Sequence, residues 1–305
     1  KEYKYDTSKK CFIITWAQND TPVHPQFFSN IIAYSKKLNA GLHIIAGRYK
    51  NPTSVFTDRK YDHWADETLE YLDASRHELH KYLWIMSDVK IQPTAVNPMT
   101  GLQGMSGVNS CIFGSPKVQL ETIPAPNSNF PKMMLTTGAC TISNYTDSKS
   151  GKKGEFHHQL GFAIVEIQDD EVYFVRQVTA LDNGNFTDLI YNVSYNSETD
   201  SSVISEALPP SAIIMGDIHY GQHDPLIIEK TLEFAKLVKP KYIVMHDVFD
   251  GLSINHHDSK DPIIQYHREL NGTNSLKCEI NYMLSELEKF KDFKVVIVRS
   301  NHDNF

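Results

Sequence analysis

No run of apolar residues in this chain approaches the roughly 20 needed to cross a bilayer. The charged, tyrosine-rich start also lacks the apolar core of a secretory signal, so nothing in the sequence addresses it to a membrane. Cysteine is scarce. Cys11, Cys111, Cys140 and Cys278 show no CxxC spacing, which argues against a zinc knuckle or a disulfide framework and fits a reducing cytoplasm. An excess of positive charge is missing as well. Lys plus Arg number 11 against 14 Asp plus Glu from Pro209 onward and 19 against 23 before it, so neither half is a basic module of the kind that grips a phosphate backbone. Carboxylates committed to divalent cations are neutralised by them, so the net charge of −7 lowers a nucleic-acid reading without excluding it. What remains is a globular composition, 41% hydrophobic and 22% charged, in 305 residues, a length that predicts two domains.

The first 90 residues read as α/β. Cys11 to Trp16 is a buried strand by composition, Pro25 to Leu38 places Phe28, Ile31, Ile32 and Leu38 on helical spacing, and Leu42 to Ala46 is a second strand. A further helix is predicted over 65–81, leading into a strand at Tyr82 to Met86. From Lys90 to Lys153 repeated Pro, Gly, Asn and Ser predict turns and short strands with no convincing helix. Gly161 to Ile167 and Val172 to Val178 form a predicted hairpin. The polar stretch from Asn196 ends in Pro209-Pro210, which reads as a linker and sets the boundary between a domain over 1–208 and a second over 209–305. Beyond it the pattern alternates: strands at Ala212 to Met215, Lys241 to Met245 and Lys294 to Val298, separated by helices opened by Asp224-Pro225 and Asp261-Pro262 and by an apolar stripe from Leu276 to Phe290. Such alternation predicts a parallel sheet whose ligands gather beyond the carboxyl ends of its strands.

Three polar motifs lie at those ends: Gly216-Asp217-Ile218-His219, His246-Asp247-Val248-Phe249-Asp250 and Ser300-Asn301-His302-Asp303. Carboxylate, imidazole and amide oxygen suit hard divalent cations such as manganese or magnesium. Asp217 and His219, two apart on an extended segment, reach one ion; Asp247 is placed to bridge it to a second, to which Asn301 offers a carbonyl oxygen. Two such ions clamp a phosphate and lower the pKa of a shared water, which is the chemistry of phosphoester hydrolysis.

The order DxH, DxxD, NHD on successive strands resembles the calcineurin-like metallophosphoesterase superfamily over roughly 211–305. The resemblance implies that the second domain is the first half of a metallophosphoesterase fold. Asp247-Val248-Phe249-Asp250 followed by Asn301-His302-Asp303 is most similar to the Mre-eleven and SbcD branch of DNA nucleases, which carry GDxFD and GNHD; the phosphatase branch would place arginine where Gly251 stands. By that resemblance Asp217, His219, Asp247 and Asn301 are metal ligands for two divalent cations, Mn2+ first and Mg2+ second. His302 is then the general acid, oriented by Asp250, and DNA is the partner. With its preceding domain the chain also resembles the early host-DNA-degrading DNases of T5-like bacteriophages, which would place it in the host cytoplasm. Two positions depart from the pattern: His246 and Ser300 stand where the branch has glycine, each adding a side chain close to the metals. The family completes both metal shells with later histidines, so the chain is expected to continue beyond Phe305.

Other motifs carry less. His256 and His257 are weak candidates for substrate contact, His157-His158 reads as structural, and Ser148 to Lys153 reads as a flexible surface loop. The preceding domain is expected to serve a protein partner, homo-oligomerisation, substrate or regulation. The alternatives are a phosphatase or small-molecule phosphodiesterase with the same metals, and a non-catalytic binding protein on a decayed metal site.

Overall fold

The computed structural model describes residues 8–56, 63–105, 107–124, 132–254, 258 and 260–300, and the chain divides into two compact units, Lys1–Glu206 and Ala207–Phe305. The division falls two residues before the boundary expected from the double proline. The chain has an α/β fold in which parallel pairings recur.

The first unit opens with β1 (Cys11–Gln18), α1 (Pro25–Lys37) and β2 (Gly41–Gly47), a βαβ unit with β1 and β2 parallel. It continues through β3 (Leu72–Asp73), β4 (Arg76–His80), β5 (Leu83–Met86), β6 (Ser110–Phe113), β7 (Leu120–Ile123), β8 (Lys132–Thr136), α2 (Lys149–His157), β9 (Gly161–Ile167), β10 (Tyr173–Thr179), β11 (Phe186–Asp188), β12 (Tyr191–Asn196) and β13 (Ser201–Glu206). Its sheets run β10-β9-β1-β2-β3, β4-β5-β6-β8-β7 and β11-β12-β13. β1 is mostly apolar because both of its faces are covered. Ile13 and Ala17 pack with Phe27, Ile31 and Tyr34 of α1, while Phe12, Ile14 and Trp16 pack with Leu83, Ile85, Ile112 and Leu135 of the second sheet. Gly47 is glycine for contact reasons: a Cβ there would lie 2.0 Å from the Trp16 ring.

Three expectations for this unit are corrected. Residues 65–81 hold a single 3-10 turn at Asp66–Thr68 followed by β3 and β4, not a helix. The side chains decide this: Asp73 is buried with its Oδ2 2.7 Å from His77 Nε2 and 3.5 Å from His43 Nε2, a cluster that ties β3 and β4 to β2. The supposed loop Ser148 to Lys153 is the start of α2, with Ser148 as N-cap accepting from the Gly151 amide at 3.1 Å. Its glycines suggested a loop but serve packing, since a Cβ on Gly151 would meet the Thr146 carbonyl at 1.8 Å. Finally, the stretch read as a linker contains β13, a largely exposed strand paired to β12, whose polarity reflects that exposure.

The second unit follows its predicted pattern: β14 (Ala212–Met215), α3 (Pro225–Val238), β15 (Tyr242–His246), α4 (Pro262–Leu270), α5 (Leu276–Glu288) and β16 (Val295–Val298). Asp224 caps α3 and Asp261 caps α4, each accepting from an amide of the first turn at 2.9 Å. The strands form one parallel sheet with β15 in the centre. Ile243 and Met245 of β15 are fully buried in a core with Ile228, Ala235 and Phe290, so the alternate residues Tyr242, Val244 and His246 belong to the opposite face. Among the described residues no helix is long and apolar enough to cross a membrane.

Candidate metal centre

The segment leaving β14 alternates polar and apolar residues, so Ile218 and Tyr220 enter the core and Asp217 and His219 are left outside it. It stays laced to the segment leaving β15. The Ile218 amide donates to the His246 carbonyl at 3.4 Å, His219 to Asp247 at 2.7 Å and Tyr220 to Val248 at 3.1 Å. Within this lacing Asp217, His219 and Asp247 have left-handed backbones, with φ of 50°, 47° and 49°. Such conformations are disfavoured for residues with a Cβ and collect at functional sites, where the surrounding structure holds them in place.

The result is a convergence of side chains from two adjacent strand ends. One ligand atom from each of Asp217, His219 and Asp247 lies within 4.8 Å of the others. The Asp217 side chain is 83% exposed, whereas Asp247 is buried and its Oδ1 has no hydrogen-bond partner. A buried carboxylate oxygen left open beside a second carboxylate and an imidazole offers the hard donors that suit a divalent cation. Ser300 holds the Asp247 carboxyl below the usual carboxylate range through a hydrogen bond. Burial opposes this, while His246, Asp217 and His219 reinforce it, so the group is a ready anion.

Asp250 stands with its Oδ1 2.9 Å from His219 Nδ1. A carboxylate behind a ligating imidazole fixes the ring and raises its basicity. The sequence reading gave Asp250 to His302; the described contact is to His219, and Asn301, His302, His256 and His257 lie outside the described residues. Two residues that the sequence did not count as site members also reach the centre. His246 Nδ1 is 2.6 Å from Asp247 Oδ2 and 4.0 Å from Asp217 Oδ1, and Ser300 bonds Asp247. Their signal in the sequence was that both stand where the nuclease pattern it resembles has glycine. An open groove of about 620 Å3 runs from Asp217 along α3, lined by Met215, His223, Ile227 and Phe234.

No family model matches the chain. A phage protein does. Protein A1 of Escherichia phage T5 is 27% identical over 316 aligned residues, covering 96% of this chain and 54% of that protein, so the chain spans about half the length of the curated relative it matches. Among solved structures, Vps29 of Chaetomium thermophilum aligns at a TM-score of 0.28 and 9% identity, over 64% of this chain and 97% of that one. Outside the centre, His158 of the pair His157-His158 is accounted for structurally. His158 Nε2 is 2.9 Å from the Thr141 carbonyl and its Nδ1 2.9 Å from the Tyr145 hydroxyl, and burial lowers its pKa to about 4.

Proposed function

We propose that this protein is a divalent-metal-dependent phosphodiester hydrolase that acts on DNA. The observation that carries the reading is the convergence of Asp217, His219 and Asp247 at the ends of two adjacent parallel strands, the place where α/β sheets gather their ligands. In this reading these three residues hold divalent cations, with Asn301 as a fourth ligand, and manganese suits the set better than a thiophilic metal. When bound, the cations neutralise phosphate charge and acidify a coordinated water. Asp250 steadies His219, the hydrogen bond from Ser300 keeps Asp247 ionised, and His302 delivers the proton to the leaving oxygen.

Similarity to a phage T5 protein along 96% of the chain is compatible with a nuclease but names no activity. The test is incubation of the purified protein with Mn2+ and linear double-stranded DNA, single-stranded DNA or a chromogenic phosphodiester, beside Asp247→Ala. DNA cleavage that needs Mn2+ and disappears in Asp247→Ala is expected. Turnover of the small ester alone would turn the reading to a phosphatase or small-molecule phosphodiesterase. Inactivity on all three, with Asp247→Ala retaining whatever binding the wild type shows, would favour a non-catalytic protein.

A further inference from the structure

We infer that His246 is an additional ligand of the cation held by Asp217 and Asp247, so that this centre carries one more imidazole than the nuclease pattern it resembles, in which glycine occupies that position. The inference rests on the metal-dependent reading above.

His246 is the last residue of β15, and alternation along the strand sends its side chain away from the core that takes Ile243 and Met245. Its ring is 41% exposed, so no packing demand explains a large side chain where glycine would serve. What the ring meets is the pair of carboxylates. Nδ1 lies 2.6 Å from Asp247 Oδ2 and 4.0 Å from Asp217 Oδ1. Donor atoms bound at about 2.1 Å to one ion sit roughly 3 to 4 Å apart, according to the angle between the bonds. The distance to Asp217 falls at the upper end of that range, and the shorter one to Asp247 is a hydrogen bond that the ring would exchange for the ion. A hydrogen bond to Asp247 would account for the shorter contact but not for the approach to Asp217, which has its own exposed route to solvent. Asp217, His219 and Asp247 form the cluster, and His246, within 4.0 Å of both carboxylates, would extend it to a two-carboxylate, two-imidazole set. Compared with a set richer in oxygen, it favours manganese, cobalt or zinc over magnesium.

The test uses the full chain and two probes, Mn2+ and Mg2+. Affinities come from isothermal titration calorimetry, and the number of imidazole nitrogens coupled to bound Mn2+ comes from pulsed electron paramagnetic resonance, for the wild type, His246→Gly and His246→Gln. Two coupled imidazoles are expected in the wild type and one in each variant. Mn2+ affinity should fall by about tenfold or more, with a smaller fall for Mg2+. Should His246→Gly fail to fold, the count in the wild type decides, and a single imidazole overturns the proposal. Weaker Mn2+ binding with an unchanged nitrogen count also overturns it, making His246 a residue that positions Asp247. Absence of any Mn2+ binding by the wild type, as in Asp247→Ala, would remove the metal-dependent reading and this inference together, whereas normal Mn2+ binding unaffected by His246→Gly removes the inference alone.

Discussion

Replacing Asp188 by alanine takes away a carboxylate that is 3% exposed and accepts three hydrogen bonds: from Arg176 Nε at 2.6 Å, Arg176 Nη2 at 2.8 Å and the Tyr34 hydroxyl at 2.6 Å. These bonds join β10 and α1 to β11, so the change strikes where three elements of the first unit meet. Removing one member of a buried ion pair costs about 3–5 kcal/mol, because the other is left charged and unsolvated. Arg176 keeps Glu166 at 2.5 Å and its side chain is 22% exposed, which favours the lower end, about 3 kcal/mol. In a unit of this size each kcal/mol lowers the melting temperature by about 2–4 °C, so a fall of about 6–12 °C is expected by circular dichroism or scanning calorimetry on the full chain. Burial and the bond to Asp188 both push the Tyr34 phenol up, and its titration should move down in Asp188→Ala. The double change Arg176→Met, Asp188→Leu should recover most of the lost stability, since apolar replacement of both partners removes the unpaired charge. A single variant that melts with the wild type would refute the reasoning. So would a double variant whose loss is the sum of the two single losses, for then the residues are not coupled.

His158 supplies a pH prediction. Burial lowers its pKa from about 6.5 unfolded to about 4 folded, so above pH 6.5 both states are neutral and nothing is lost; as pH falls from 6.5 toward 4 the unfolded chain takes up the proton first and stability drops, by roughly 3 kcal/mol in all. His158→Gln should flatten that limb in acid-melting curves, and an unchanged limb would assign the loss to other groups. Thiol labelling of the native protein should modify Cys278 first, because it is exposed, whereas burial pushes the Cys140 thiol up to about 12 and should protect it until unfolding. Gly47→Ala should destabilise the first unit by about 1–3 kcal/mol through overpacking against Trp16, and a variant as stable as the wild type would show that the indole can move aside.

The second unit was legible in the sequence because its signals are local: Asp-Pro at two helix starts and β-branched runs for strands, both found in place, and polar motifs at strand ends, of which the first two are described in full and the third only as far as Ser300. The first unit was less so, for a physical reason that Asp73 illustrates. Leu69, Leu72 and Leu79 lie close enough to helical spacing to suggest a helix, yet the chain is held in strands by a buried aspartate between His43 and His77, residues supplied by β2 and β4. A partner 30 residues away, as His43 is from Asp73, leaves no trace in a local period. Glycine misled in the same way at Ser148 to Lys153, where close approach rather than turn geometry explains Gly151.

At the candidate metal centre Asp217, His219 and Asp247 were read from their offsets and converge in the structure, but the meaning of the two departures from the resembled glycine pattern was not legible. His246 and Ser300 lie on different strand ends, and sequence alone could say only that each adds bulk near the metals. In the structure both converge on one carboxylate, Asp247, from the end of β15 and from beyond β16. A substitution at one position is a local accident of geometry. Two side chains that meet on the same buried anion act on it together, His246 through an ion pair and Ser300 through a hydrogen bond. The proposed metal centre is therefore better tested by the cation it binds than by the motif it resembles.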